Sequence, residues 1–449
     1  MLQYRRTTII FLVAFSLVYV YKLWYTSRQD EGSLSWAHQD RNDSYVRNST
    51  LGFEKIFVIN LPARRDRRDA MATAGAVSNL NLTFIEGQTG ESHSKVEGAR
   101  GSWASHLSVL QAIVDLGLRS VLVLEDDVDW DVRLKTQMET FAVASQMWLD
   151  VEQEKREMLS RLRNLETGKP EHEDSKAESS ATSNLFPESS GEGGIKEEFE
   201  RDTITLPPKL PSTILNAAAY SASPYGEDWD VLWLGHCGAD LPTTRKEPPP
   251  SSQAGSPFCS SSSLKIAVPG DTTVPAPKHL QPHPFALRDA LADAYPPHTR
   301  VVHAACGNVC SLAYGVSQRG ARRLLRRFTG DGYVAQWDLM LRDYCMGTRT
   351  NRDKEEEGGG GGGGGERGEG DESLVCLTVQ PPLISHHYAG EEGGASVSDI
   401  KGQGGGLVRG KKGTPYIRLS VQENLERLVA GVPVERLVDQ LPDDGDTLW

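Results

Sequence analysis

Residues 120–131 read SVLVLEDDVDWD: four apolar residues, Val121 to Leu124, run directly into Glu125, Asp126 and Asp127, with Asp129 and Asp131 close behind. The apolar run has the composition of a buried strand, and in open α/β sheets ligands bind beyond the carboxyl ends of strands. Adjacent carboxylates repel one another and are costly unless water or a cation compensates them. A hard divalent ion (Mn or Mg) with oxygen ligands would resolve that repulsion. The same ion would clamp a diphosphate and stabilise charge on a leaving group. Glu125 and Asp127 are therefore the first candidate metal ligands. The competing reading of this tripeptide, taken alone, is a solvated acidic turn.

Other residues compete for the same chemistry. His386 and His387, beyond the last apolar run, would offer an imidazole nitrogen, His386 to the same ion; a plain surface loop is the alternative. Asp228 and Asp230 flank Trp229 ahead of VLWLG and form a rival acidic pair. They precede their strand, the wrong end for a ligand site, and rank below Glu125 and Asp127. Of the tight Asp/His motifs of metal phosphohydrolases, D-x-H does not occur, and H-x-D occurs only at His38–Asp40 and His172–Asp174, in the stalk and in a polar insert.

Elements that would position these groups follow from pattern. Lys55 to Asn60 reads as a short strand, followed by a Pro-containing turn and a basic segment. Trp103, Leu107, Leu110, Ile113 and Val114 recur at helical spacing between Ser102 and Leu116, and Gly117 ends that helix. Ser120 to Leu124 is the next strand, so the alternation predicts an α/β fold with an at least partly parallel sheet. Residues 132–165 suit one long amphipathic helix; EDWDVLWLGHCG (227–238) holds another buried strand. VVHAACGNVCSLAYGVSQRGARRLLRRF (301–328) reads as strand, Ser317 as N-cap, then helix, and SLVCLTVQPPLISHHYAG (373–390) gives a last strand and its exit loop. Three polar, Ser/Pro/Gly-rich inserts, expected to be disordered, interrupt a domain over 53–440 at about 166–205, 241–298 and 351–372.

The chain has 449 residues, a hydrophobic share of 38% and a formal charge of −13. The inserts account for the low apolar share, and the negative charge argues against a nucleic-acid partner. At the N-terminus, Arg5 and Arg6 precede a nearly uncharged run whose bulky end, Val20 to Tyr25, offers no small-residue cleavage site. The run predicts an uncleaved membrane anchor at 7–25, a cytosolic tail at 1–6, and a stalk at 26–52 leading to a lumenal domain. The short span suits a single-pass type II protein of the endoplasmic reticulum or Golgi. Three glycosylation sequons, beginning at Asn42, Asn48 and Asn81, agree with lumenal placement. The six cysteines would then meet an oxidising compartment, although their pairing is not legible; no four-ligand zinc spacing occurs.

Five blocks, in order, resemble glycosyltransferase family 25, which includes bacterial lipooligosaccharide galactosyltransferases and the collagen galactosyltransferases. INLPARRDR resembles the family's first strand and turn, through Ile59, Asn60, Leu61, Arg64 and Arg67. GSWASH resembles its Gly-x-x-x-Ser-His block through Gly101, Ser105 and His106, with Ser102 where Cys is expected. VLVLEDD, SLAYGVSQRGARRLL and QPPLISHH with Ser398-Asp399-Ile400 match the acidic strand end, the later strand–helix block and the closing segment. Glu125-x-Asp127 also has the spacing of the D-x-D element of metal-dependent glycosyltransferases.

This resemblance implies a GT-A-like, Rossmann-related domain with a mixed, mostly parallel sheet. It implies transfer of a hexose, galactose in the first instance, from a UDP-sugar to a hydroxyl of a glycan or glycoprotein, with inversion. Asn60 and Leu61 would present backbone groups to the nucleobase, and Arg64 and Arg67 would face the diphosphate. Ser105, His106 and Glu125 would complete the donor site, with Glu125, Asp127 and His386 on the metal. An inverting transfer needs a base for the acceptor hydroxyl; Asp338, in YVAQWDLML, is the first candidate and Asp126 the second. The bland alternatives are solvated arginines, a structural His106 bonded to a backbone group, and an ordinary helix-capping Asp338. A catalytically silent, lectin-like or scaffold protein of the same fold is the competing function. Loss of the expected Cys at Ser102 leaves room for it, and the intact acidic cluster argues against it.

Overall fold

A computed structural model describes residues 45–89, 95–167, 202–207, 210, 214, 223–242, 262–283, 286–347, 374–390 and 412–449. The predicted anchor at 7–25, most of the stalk, the insert at 351–372 and Ser398-Asp399-Ile400 lie outside these residues. Among the described residues no helix is long and apolar enough to cross a membrane.

In chain order the elements are β1 (Lys55–Asn60), α1 (Arg65–Val77), β2 (Leu82–Glu86), α2 (Lys95–Asp115), β3 (Ser120–Glu125), β4 (Val128–Trp130), α3 (Leu134–Thr167) and β5 (Thr203–Thr205). Then come β6 (Val231–Gly235), β7 (Lys265–Val268), α4 (Leu291–Ala294), β8 (Arg300–Ala304), β9 (Ala313–Ser317), α5 (Gln318–Asp331) and α6 (Trp337–Cys345). The chain closes with β10 (Cys376–Gln380), β11 (Ile384–His386), β12 (Tyr388–Ala389), β13 (Lys412–Gly413) and α7 (Leu425–Val429).

The main sheet runs β2-β1-β3-β9-β6-β10-β8-β7-β5, with β11 bridging β6 and β4. It is mixed. β1 is parallel to β2 and β3, and β6 is parallel to β10. β9 runs antiparallel to both β3 and β6. Strands β1, β3, β6 and β10 therefore end on the same side. Alternation along each strand divides the core into two layers. Ile56, Val58, Leu122, Leu124, Leu232 and Leu234 pack against Met71 and Ala74 of α1 and Met138, Phe141 and Trp148 of α3. Phe57, Val121, Val123, Val231 and Trp233 pack against α2, α5 and α6 on the other face.

Two expectations need correction. The stretch 241–298 is not simply a disordered insert: Lys265 to Val268 form a fully buried strand between β8 and β5, and Thr203 to Thr205, assigned to the preceding insert, pair with it. Three apolar residues and Lys265, whose buried Nζ donates to the Pro242 and Ser263 carbonyls, suffice for a sheet strand, but Pro/Ser-rich flanks hide them in composition. The basic segment after β1 is also regular, forming helix α1, whose Gly75 lets Leu82 of β2 approach within what would be 2.7 Å of an added Cβ. Ser317 does cap α5, its hydroxyl accepting from the Gly320 N–H at 3.0 Å.

Candidate active site

The carboxyl ends of β1 and β3 and the strand β11 bring the acidic cluster its partners. Asn60 closes β1 and is buried; its Nδ2 donates to the Asp126 carboxylate at 2.7 Å and to the Arg64 carbonyl at 3.0 Å. Gly87, following β2, donates its N–H to the Asn60 carbonyl at 2.9 Å. A side chain at Gly87 would press on Leu61 Cδ2 at 3.1 Å, so this turn is closely fitted. Arg67 projects from the first turn of α1 between two acids: its Nη1 lies 2.8 Å from Asp126 Oδ1 and 2.9 Å from Asp127 Oδ2. Arg64 is paired with Asp66 at 2.9 Å and contributes its charge to the field at Asp127.

Asp127 meets His386 across the β3–β4 turn, His386 Nε2 lying 3.4 Å from Asp127 Oδ2. The pairing of β11 with β4, His386 opposite Val128, sets that approach. Burial opposes ionisation of Asp127, but His386, Arg67 and Arg64 outweigh it and hold the carboxyl well below the usual range. Glu125 goes the other way. Burial, then the neighbouring Asp127, push it up to about 8, against a bond from the Ser311 hydroxyl at 3.0 Å. Burial and Asp127 also raise Asp126, against Arg67 and Asn60. Neighbouring carboxylates thus hold opposite protonation preferences, an arrangement common at functional sites.

Asp338 sits in the first turn of α6, where its Oδ2 accepts from the Cys310 N–H at 2.8 Å; its charge reaches Glu125. The Cys237–Cys310 disulfide ties that loop to the end of β6. Tyr388 was not singled out by sequence. Its ring lies 4.5 Å from that of His386, and burial with the nearby Asp127 pushes its hydroxyl up to about 12. Its only sequence signal is its place two residues after His386. Ser311 was equally silent, adjoining Cys310 at the start of the block that becomes β9.

Ser105 and His106 stand behind this group. Ser105 Oγ donates to the Gly101 carbonyl and accepts from the Gln88 N–H, at 2.8 and 2.7 Å, joining α2 to the loop after β2. His106 is 2% exposed, stacks on Trp337 at 4.6 Å and bonds the Tyr314 hydroxyl through Nδ1 at 2.9 Å. Burial lowers it to about 3, so it is neutral and packs the core that carries Asp338. Asp129 and Asp131 are structural: Asp129 accepts from Thr414 and Ser420 hydroxyls, and Asp131 from Arg133 and the Leu419 N–H. The rival Asp230 is buried between Arg319 and Arg323 at the opposite end of its strand.

The donor set suits a hard divalent ion in one respect. Asp127 Oδ1 and His386 Nδ1 are both buried with no hydrogen-bond partner among the described residues. Among those residues no three His, Cys, Asp or Glu side chains converge to hold a metal unaided. Ligand oxygens would have to complete any coordination.

Residues 53–220 match the model for glycosyltransferase family 25 (LPS biosynthesis protein). That match covers less than half of the chain and makes residues 53–220 similar to family 25 glycosyltransferases. The match contains β1 through β5, hence Asn60, Arg67 and the whole acidic cluster, while Asp338 and His386 come from later in the chain. The chain is 32% identical over 111 residues to procollagen galactosyltransferase 2 of Homo sapiens, covering 20% of this chain and 18% of that protein. It is 30% identical over 112 residues to procollagen galactosyltransferase 1 of Danio rerio, with the same coverage. It is also 29% identical over 132 residues to inactive glycosyltransferase 25 family member 3 of Homo sapiens, covering 24% and 21%. The chain thus spans about a fifth of the length of these relatives.

Proposed function

We propose that this protein is a lumenal glycosyltransferase of the endoplasmic reticulum or Golgi, transferring galactose from UDP-galactose to a hydroxyl of a glycan or glycoprotein with inversion. The observation that carries this reading is the chain Asn60–Asp126–Arg67–Asp127–His386 at the carboxyl ends of neighbouring strands. It supplies fixed charges of both signs where a parallel α/β edge receives a nucleotide. The sugar is taken from the two procollagen galactosyltransferases to which the chain is similar.

In this reading Asn60 and Arg67 fix Asp126, which leaves Asp126 as a positioning group with both oxygens engaged. Asp127 and His386, with Glu125 alongside, would hold a divalent cation, its coordination completed by oxygens of the donor. When bound, that cation supplies compensation for charge on the departing UDP. Asp338 keeps one oxygen on the Cys310 N–H and turns the other to the acceptor hydroxyl as general base. Tyr388 shields the Asp127–His386 pair from water.

Calorimetry of the full chain with UDP-galactose and UDP-glucose, with Mn present or chelated, tests the donor assignment. Metal-dependent binding that favours UDP-galactose and is lost in Asp127→Asn is the predicted result. The second reading is a silent member of the fold, as two similar proteins are named inactive or probable inactive. It predicts no donor binding under any of these conditions.

A further inference from the structure

The sequon at Asn81 is left open by the fold in a way the one at Asn48 is not. Asn48 Oδ1 accepts from the Thr50 N–H at 2.9 Å, the Thr50 hydroxyl at 3.1 Å and the Gly52 N–H at 3.0 Å. The Thr50 hydroxyl also reaches the Phe53 carbonyl at 2.5 Å. The Asn48 side-chain carbonyl and the Thr50 hydroxyl of that sequon are thus folded into one compact turn. Asn81 is exposed and enters β2, so Asn81-Leu82-Thr83 is extended. Residues two apart on a strand share a face. Asn81 and Thr83 therefore lie together, while Leu82 faces the other way onto Gly75 of α1.

Placement adds to this. Among the described residues β2 is the last strand of the sheet, pairing only with β1. Edge strands present unpaired backbone groups that invite association, and proteins blunt them by covering or charging them. Leu82 pairs with Ile56 at the start of β1, whereas Asn60 pairs with Glu86 at its end. Asn81 thus lies about 16 Å along the strand from the level of Asn60, and a bulky group there leaves the acidic cluster accessible.

We infer that Asn81 is an N-glycan acceptor, its glycan covering the β2 edge of the sheet. The inference rests on the lumenal placement proposed above. In the transfer, the anomeric carbon of a lipid-diphosphate-linked oligosaccharide bonds to Asn81 Nδ2. That nitrogen gives up one proton, and the lipid diphosphate leaves.

The test is peptide mapping of the full chain expressed in a eukaryotic secretory host, before and after enzymatic deglycosylation, with Asn81→Gln and Thr83→Ala alongside. The expected result is glycan on the Asn81 peptide, at higher occupancy than on the Asn48 peptide. Each variant should lose one glycan and bind donor as the parent does. Glycan on Asn42 or Asn48 with Asn81 bare, or with Asn48 the better occupied, overturns the inference while leaving lumenal placement intact. Bare asparagines at all three sequons overturn it together with that placement.

Discussion

Arg67 is the residue on which the site's electrostatics turn. It is 7% exposed and lies within 3 Å of two carboxylates. Removing one partner of a buried ion pair strands the other charge, at a cost of about 3–5 kcal/mol. Arg67→Met should therefore lower stability by about that amount, read as a reduced urea midpoint at neutral pH. The loss should shrink in acid, as Asp126 and Asp127 become protonated. An unchanged midpoint would mean that water already neutralises these acids. Asp127 and His386 were named in the sequence for their place beyond apolar runs, and Asn60 and Arg67 through the resemblance to family 25; the structure brings the four together, and their roles are those proposed above. His106 lies mid-way along α2 and is buried, and in sequence a polar residue on a helix looks the same whether it faces a cleft or the core.

At the scale of elements, β3 and its neighbours put the acids where they are. The two residues leading into β9 contribute the Ser311 hydroxyl and the Leu312 carbonyl, which accepts from the Glu125 N–H at 3.0 Å. The same strand ends in the Ser317 cap, so Ser317→Ala should cost about 1 kcal/mol in thermal or chemical denaturation. A second test concerns Asp289, before α4. Its Oδ1 accepts from the Leu291 N–H at 2.9 Å and from Gln380 at 3.2 Å; its Oδ2 is buried and unpartnered among the described residues. Burial raises it to about 6. A carboxyl whose folded pKa is raised contributes stability fully present below its unfolded pKa, near 4, and lost as pH rises through about 6. Asp289→Asn should therefore be more stable than the parent at pH 7, by roughly 2–3 kcal/mol, and no more stable at pH 4. Equal stability gains at both pH values would contradict this. The strands β1, β3, β6 and β10 and helices α2, α3 and α5 were readable from periodicity. Strands β4, β5, β7 and β11 were not, because three or four residues carry too little pattern and only tertiary pairing defines them.

Across the whole molecule, the sheet gathers side chains from both ends of the chain: Asn60 and Asp127 from the family 25 segment, and Asp338 and His386 from beyond it. In sequence His386 is a candidate for the same ion as Asp127, but nothing there signals the β11–β4 pairing that sets their approach, which spans more than half the chain. The Cys237–Cys310 bridge closes 73 residues and anchors the loop whose N–H holds Asp338. Replacing both cysteines by serine should cost about 2–5 kcal/mol. It should reduce turnover more than donor binding, since the donor-facing residues stand on other elements. A parallel loss of both would place the donor against that loop. The central claim, that the β3 end and not the Asp228–Asp230 pair is the glycosyltransferase centre, is tested most directly by UDP release from UDP-galactose. The full chain should be assayed with Mn, with Asp127→Asn and Asp228→Asn in parallel. The account predicts Mn-dependent release, reduced on the order of 100-fold or more in Asp127→Asn and unchanged in Asp228→Asn. Full release by Asp127→Asn, or loss on replacing the exposed Asp228, would contradict it.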